Sequence, residues 1–238
     1  MRILIVGGTS GIGLALARHY RGEGHVVTVC GRDLARLPAD ADVDAITLDV
    51  TDHMAVDAVM DRFDACGLDL LVVAAGFYFN DRRHPLDEAT TLRMLQTNTG
   101  GVAHLFERAA AAMLARRAGH LVAISSVAGL LTDYPGASLY AATKRSVLSL
   151  CDSYRTALRP FGIAVTAIVP GYVDTGKLRA LNGGDASHKP FIVSQAQAVA
   201  HITRAVARRQ AVCVFPWQMR WLIAVLNRLP RILLHLRR

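Results

Sequence analysis

Short, almost wholly apolar runs recur along this chain, separated by longer stretches whose apolar residues return every three or four positions. The runs are "RILIVGG", "HVVTVCG", "DAITLDV", "LDLLVVAAG", "GHLVAISS" and "GIAVTAIVPG". Each is too short for a helix of ordinary length and rich in Val, Ile and Leu. They read as strands buried on both faces, because a half-exposed strand would alternate apolar with polar. The helical stretches fall near 12–23, roughly 85–117 and 138–160. Strand and helix in alternation predict an α/β domain, a parallel sheet with helices on both faces. No internal repeat or low-complexity linker interrupts the pattern, and 238 residues, 52% of them apolar, suffice for one domain with a large core. The reading divides the chain into a domain at 1–210 and an extension at 211–238.

Charge changes that picture only at the end. Residues 1–185 carry 18 basic and 19 acidic side chains, whereas 186–238 carry nine basic and no acidic ones. The net charge of +8 therefore belongs to the tail, which excludes a nucleic-acid footprint spread over the domain. The tail runs "VCVFPWQMRWLIAVLNRLPRILLHLRR". Trp217, Trp221, Leu222, Val225, Leu226 and Leu229 recur at helical spacing, interrupted by Arg220, Asn227, Arg228 and Arg231. The run "WLIAVL" is far shorter than the roughly 20 residues of a membrane-spanning helix, and Pro230 would break or kink the helix. Two readings stay open. The helix packs its apolar side on the domain or a second subunit, or 216–238 lies in a membrane interface with tryptophans at the acyl boundary and arginines at anionic headgroups. The first strand begins almost at Met1 without a signal-peptide pattern, and Cys30, Cys66, Cys151 and Cys213 form no CxxC. A cytoplasmic protein with reduced thiols is expected, peripheral at the membrane if the interfacial reading holds. The histidines, His19, His25 and His84 among them, show no metal-ligand spacing, so no metal is expected.

"VGGTSGIG" ends the first strand and opens the first helix. Gly7, Gly11 and Gly13 permit a tight turn and let backbone amides approach a pyrophosphate, with the helix N-terminus adding a favourable dipole. The second strand ends "VTVCGRD". In dinucleotide folds an acid here bonds the adenosine 2'-hydroxyl, whereas an arginine accommodates a 2'-phosphate. Gly31 leaves room and Arg32 supplies a bidentate guanidinium, so NADP(H) is preferred. Asp33, one residue on, keeps NAD(H) open.

Further along stand "LDVTD" at 48–52, "AAG" at 74–76, Asn98 in "QTNTGG", "ISS" at 124–126, Tyr140 with Lys144 four residues on, and "PGYVDT" at 170–175. The chain has only three lysines, and no other tyrosine has one four residues on. With these motifs in this order, residues 2–205 resemble the short-chain dehydrogenase/reductase family. That resemblance implies a doubly wound Rossmann fold, a nicotinamide cofactor and oxidoreductase chemistry on a carbonyl/alcohol pair. It implies that Tyr140 is the proton donor, that Lys144 lowers its pKa and binds the nicotinamide ribose, that Ser126 (with Ser125 as the alternative) bonds the substrate carbonyl, and that Asn98 anchors a water relaying protons to Lys144. The cofactor would also touch Thr9, Ser10 and Ile12 of the glycine loop, Asp49 and Val50 at the adenine, Ala74, Ala75 and Gly76 along the cleft, and Pro170, Gly171, Val173 and Thr175 around the nicotinamide and diphosphate. The chemistry is sound: a phenol of pKa about 10 needs positive charge beside it to exchange a proton near neutrality, and a hydroxyl aimed at a developing oxyanion stabilises it.

Departures exist. Val6 stands where the family often has threonine, and Ala74 replaces the asparagine of "NAG". Ser126 to Tyr140 is one residue longer than usual, so "LLTDYPGAS" should bulge, with Pro135 and Gly136 turning the chain. Tyr134, Tyr154 and Tyr172 read as packing or pocket-lining residues. The tail replaces the short strand and "DGG"-like turn with which relatives commonly end. Segment 176–193, with Leu, Ile, Phe and adjacent glycines, reads as a mobile, fairly apolar lid suited to a hydrophobic or lipid-like substrate. A homo-oligomer, dimer or tetramer, follows from the resemblance. The rivals are a catalytically weak NADP(H)-sensing protein, against which the intact Ser126, Tyr140 and Lys144 argue, and a membrane-surface scaffold with secondary reductase activity, which removal of 216–238 would expose.

Overall fold

A computed structural model describes residues 1–64, 67–79, 87–131 and 138–228. Its strands are β1 (Arg2–Val6), β2 (Val26–Gly31), β3 (Asp44–Thr47), β4 (Leu70–Val73), β5 (Gly119–Ile124), β6 (Ile163–Pro170) and β7 (Val212–Phe215). They form one parallel sheet in the order β3-β2-β1-β4-β5-β6-β7. The helices are α1 (Gly11–Gly22), α2 (His53–Asp64), α3 (Glu88–Leu95), α4 (Gly101–Arg116), α5 (Leu139–Leu158), α6 (Gly176–Ala180), α7 (Gln195–Ala207) and α8 (Trp217–Leu226). This is the parallel sheet flanked by helices that the alternation predicts, in the doubly wound Rossmann order that the resemblance implies.

The unbroken apolar runs are explained by where alternate side chains go. Leu4 and Val6 of β1, Leu71 and Val73 of β4, and Leu121 and Ala123 of β5 enter a core shared with α2, α4 and α5. Their neighbours Ile3, Ile5, Leu70, Val72, Val122 and Ile124 enter a second core shared with α1 and α7. Nearly all of these side chains are fully buried, and each such burial stabilises the fold by roughly 1.5–3 kcal/mol.

Two elements position the site. Between α3 and α4 the helix widens into a π turn at Gln96–Gly100. Helix α5 starts at Ser138, whose hydroxyl accepts from the Ala141 amide at 3.1 Å. The sheet reverses its winding between β1 and β4, and ligands of such sheets bind beyond the strand ends at that point.

The tail differs from the sequence reading. "VCVF", set off with the extension, is the last strand of the sheet and pairs with β6 from Ala167–Val212 to Pro170–Phe215. A four-residue edge strand carries too little pattern to stand out beside a longer amphipathic stretch. Helix α8 docks through Met219 and Ile223, which pack with Val127 and Val169. The stripe of Trp217, Trp221, Leu222 and Val225 faces outward. The expected turn at Pro135 and Gly136, the break at Pro230, and Cys66, His84, Tyr134, Leu229 and Arg231 lie outside the described residues.

Candidate active site

The glycine loop joins β1 to α1, and each of its three motif glycines meets a different constraint. A Cβ on Gly7 would fall 2.4 Å from the Ala75 nitrogen, and one on Gly13 would fall 2.2 Å from the Gly7 carbonyl oxygen. Gly7, at φ +87°, makes the tight turn, and Gly13 lets α1 pack onto it. Gly11 is different: a Cβ there would meet only the Thr175 side chain, 3.6 Å away. Open space in front of a backbone amide at the start of a helix is what a pyrophosphate needs. The cradle therefore fits a dinucleotide. Ser10 stands at the N-cap of α1 without a side-chain cap bond, Thr9 is buried, and Ile12 packs against the α1–α7 core.

Gly31 has a purpose the sequence did not reveal. A Cβ there would strike the Thr9 side chain at 2.6 Å, so the space attributed to a phosphate holds Thr9. Arg32 is exposed. Asp33 caps the short 3-10 turn after β2, accepting from the Ala35 amide at 3.0 Å, and pairs with Arg36 at 3.4 Å. The acid that kept NAD(H) open is thus engaged with protein. Asp49 accepts from both the amide and the hydroxyl of Thr51, and Val50 lies where a Cβ on Gly101 would touch it. The amides of Ala74 and Ala75 both bond the Val6 carbonyl, at 2.7 and 2.9 Å, closing β4 onto the glycine loop.

On the other side of the cleft, α5 carries Tyr140 and Lys144 on one face. Lys144 is 5% exposed, and its ammonium donates to the Ile124 carbonyl at 3.0 Å. It lies 5.9 Å from the centroid of the Tyr140 ring. Ser126 faces the Tyr140 phenol and favours its ionised form, and its Oγ accepts from the Ala128 amide at 3.2 Å. Ser125 is committed elsewhere: buried, it donates to the Lys144 carbonyl at 2.7 Å. The two candidate serines thus separate by geometry, Ser126 at the phenol and Ser125 in the strand-to-helix packing.

The electrostatics follow from burial. Desolvation pushes the Tyr140 phenol up to about 12, against the lowering influence of Ser126 and with a small push from Tyr78. Desolvation pulls Lys144 down to about 8, helped by Lys177. Burial is the largest influence on the phenol in the protein by itself, while the expected lowering of its pKa joins Lys144 with a cationic nicotinamide. What results is a phenol protonated at neutral pH, the form that donates a proton.

Asn98 sits in the π turn, fully buried. Its Oδ1 accepts from the Phe77 amide at 2.7 Å, and its Nδ2 donates to the Phe77 carbonyl at 2.8 Å and to Thr143 Oγ1 at 3.1 Å. Both amide hydrogens are spent tying the β4 end to α5, so a water there could use only a remaining lone pair or the π-turn backbone. A Cβ on Gly76 would come 3.4 Å from Lys144 Nζ and 3.7 Å from Asn98 Oδ1.

The third wall follows β6. The Gly171 amide bonds the Phe215 carbonyl at 2.8 Å, and Val173 bridges to Val193. Thr175 caps α6 by accepting from the Leu178 amide at 3.2 Å. Pro170 closes β6 at the same place. Among the tyrosines singled out, Tyr154 packs edge-on to Phe106 in the core, and Tyr172 lies against the Val127–Met219 cluster with Lys189 over its ring. Two residues were missed. Tyr78 stands edge-on to Tyr140 at 4.9 Å between centroids, and the aromatic run "GFYF" was its only signal. Lys177 donates from α6 to the Gly76 carbonyl at 3.2 Å.

Comparison with known proteins matches residues 1–185 to the short chain dehydrogenases. An uncharacterized oxidoreductase of Myxococcus xanthus is 33% identical over 97% of this chain and 91% of its own. The galactitol 2-dehydrogenase of Agrobacterium fabrum is 33% identical over 72% of this chain and 70% of its own. Among solved structures, a short-chain dehydrogenase from Sphingobium yanoikuyae in complex with NADPH superposes with a TM-score of 0.81 at 27% identity, covering 92% of this chain and 90% of that one.

Proposed function

The chain belongs to the short chain dehydrogenase family, an oxidoreductase acting on CH–OH groups with NAD(P), and from that premise we propose that it is an NADP(H)-dependent carbonyl reductase for a hydrophobic substrate. The observation that carries this reading is Tyr140 beside buried Lys144, whose ammonium lies 5.9 Å from the phenol ring centroid, with Ser126 near the phenol and the glycine cradle opposite. The nicotinamide supplies the hydride when bound. Tyr140 gives its proton to the carbonyl oxygen as that oxygen becomes an alkoxide, and Ser126 bonds the same oxygen. Lys144 holds the ribose end of the cofactor and stabilises the phenolate that remains. Asn98 acts as a positioning residue that fixes α5 against the Gly76 wall.

Preference for NADP(H) is favoured by Arg32 at the end of β2 and by Asp33 being occupied with Ala35 and Arg36; the NADPH complex of the Sphingobium yanoikuyae relative agrees with it. A hydrophobic substrate is favoured by the surroundings of Tyr140. Tyr78 leans on its ring, and the loop after Ser126 is backed by Met219 and Ile223 of α8. We also read the protein as a homo-oligomer of two or four copies.

NADPH consumption against carbonyls of graded length and bulk, with NADH in parallel, tests the reading. Turnover should rise with apolar bulk, favour NADPH, and fall about 10²–10⁴-fold in Tyr140→Phe. Turnover that survives Tyr140→Phe removes the proton-donor assignment. Tight NADPH binding with no carbonyl turned over would favour the sensing protein instead.

A second reading concerns location. Trp217, Trp221 and Val225 are 66%, 64% and 52% exposed on one side of α8, with Leu222 beside them and Arg220 and Arg228 flanking. No helix among the described residues is long and apolar enough to cross a membrane. We infer a peripheral contact through α8 with an anionic lipid surface.

A further inference from the structure

Lys177 lies where two walls of the cleft come together. It follows Thr175 by two residues, and the Thr175 methyl group touches the open space in front of Gly11. From this segment the Lys177 side chain reaches the opposite wall and donates to the Gly76 carbonyl at 3.2 Å. Gly76 is also where Lys144 Nζ and Asn98 Oδ1 converge. The ammonium thus stands between the phosphate-facing glycine loop and the end of the cleft that holds Tyr140.

Its partner there is a neutral carbonyl. Asp174, the nearest acid of the same segment, is paired with Arg179 at 3.5 Å. Lys144 and Arg36 both act on Lys177 or are acted on by it as like charges, and partial desolvation together with Arg36 holds Lys177 below an ordinary lysine. Arg36 is paired with Asp33 at 3.4 Å, which leaves two ammonium groups, Lys177 and Lys144, meeting at Gly76, an arrangement complementary to an anion.

The geometry points to Lys177 as a side chain that binds the diphosphate bridge of the dinucleotide. This rests on the reading of the cleft as a dinucleotide site. The diphosphate joins the two halves of the ligand and so lies between the glycine loop and Lys144, the span that Lys177 crosses. Backbone amides offer partial charges there, whereas a lysine adds a full one and fastens the 176–193 segment over the bound cofactor. An ammonium–phosphate hydrogen bond is of the stronger, charge-assisted kind.

Direct binding titrations on the intact protein, following NADPH and NADH fluorescence, test this. Lys177→Gln should weaken NADPH and NADH by the same factor, about tenfold or more, because both carry the diphosphate. It should also flatten the salt dependence of binding. Lys177→Arg should retain most of the affinity, and Arg32→Ala should weaken NADPH alone. Four results overturn the inference. Unchanged dinucleotide affinity in a Lys177→Gln protein of normal melting temperature leaves the lysine no such role. A loss confined to NADPH makes it a 2'-phosphate partner. Unchanged cofactor affinity with a raised KM only for carbonyls bearing a carboxylate or phosphate assigns the lysine to the substrate's anion. If the wild-type protein binds neither dinucleotide, the reading of the cleft falls, and the inference with it.

Discussion

Lys144 is nearly sealed from water and bonded to a neutral carbonyl, and this has a consequence for stability. Its native pKa of about 8 lies below the ordinary lysine value of about 10.4. Below pH 8 both native and unfolded chains hold the proton, and the cost of a buried ammonium is fully present. Between pH 8 and 10.4 the unfolded chain keeps a proton that the native chain has lost, so stability rises with pH by up to about 1.4 kcal/mol per unit. Cys30, Cys151 and Tyr140, all raised to about 12 by burial, pull the other way above pH 9. Urea unfolding of the wild type and Lys144→Met at pH 7.5 and 9.5 separates these, because the other groups titrate in both proteins. The difference should move by about 2 kcal/mol in favour of the wild type at the higher pH. A constant difference would mean that Lys144 is solvated. At this scale the pair Tyr140 and Lys144 was legible through the ordered motifs around it, since helical spacing alone puts two residues on one face but says nothing of their role. Ser126 was preferred to Ser125 on the resemblance, and only three-dimensional contacts show that Ser125 is engaged with the Lys144 carbonyl.

Among the elements, β1, its loop and α1 form a unit whose glycines are not equivalent. Gly13 faces the Gly7 carbonyl, so Gly13→Ala must displace backbone. We expect a loss of about 1–3 kcal/mol in stability and a marked loss of dinucleotide affinity. Gly22, in the last turn of the same helix, has nothing within 4 Å of a Cβ, and Gly22→Ala should stabilise by roughly 0.5–1 kcal/mol with binding intact. Thermal melts and NADPH titrations of the two variants check this; equal effects would mean that the loop is not the tight cradle described. Six of the seven strands were visible as short runs. For five of them burial on both faces removes polar interruptions, whereas β3, at the sheet edge, is mostly exposed, contrary to the two-face burial expected of it. The π turn was not, because its cause lies far away in sequence. Asn98 is drawn to Phe77, 21 residues back, and to Thr143, 45 residues on, and no local pattern encodes such bonds. Gly31 misled for the same reason: its neighbour Thr9 is 22 positions away, so the space beside it looked available for a ligand.

For the whole molecule, the acid-free end of the chain includes α8, which carries Arg220 and is followed by Arg228. Its inner side, Met219 and Ile223, is occupied with Val127, Val169 and the loop behind Ser126, and Asn227 donates to the Leu130 carbonyl at 2.8 Å. The helix is therefore fixed to the wall of the active site while its tryptophans face out. The apolar side that the periodicity identified is largely the exposed one, whereas of the docking pair Met219 stood between Gln218 and Arg220 and Ile223 lay unremarked inside the run "WLIAVL". An exposed stripe of two tryptophans, Leu222 and Val225 beside arginines, in a segment without an acid, has the composition of an interfacial helix. The intact protein should sediment with anionic phospholipid vesicles at low salt, much less with neutral ones, and release as salt is raised. Trp217→Ser with Trp221→Ser should abolish sedimentation without altering the melting temperature or the turnover of a water-soluble carbonyl, because neither tryptophan is part of the core. If the wild type ignores anionic vesicles, and the double variant instead shifts the protein to a smaller assembly in sedimentation velocity, the stripe is a subunit interface. The rise of turnover with apolar bulk would then have to come from the walls around Tyr78 and Tyr140 alone.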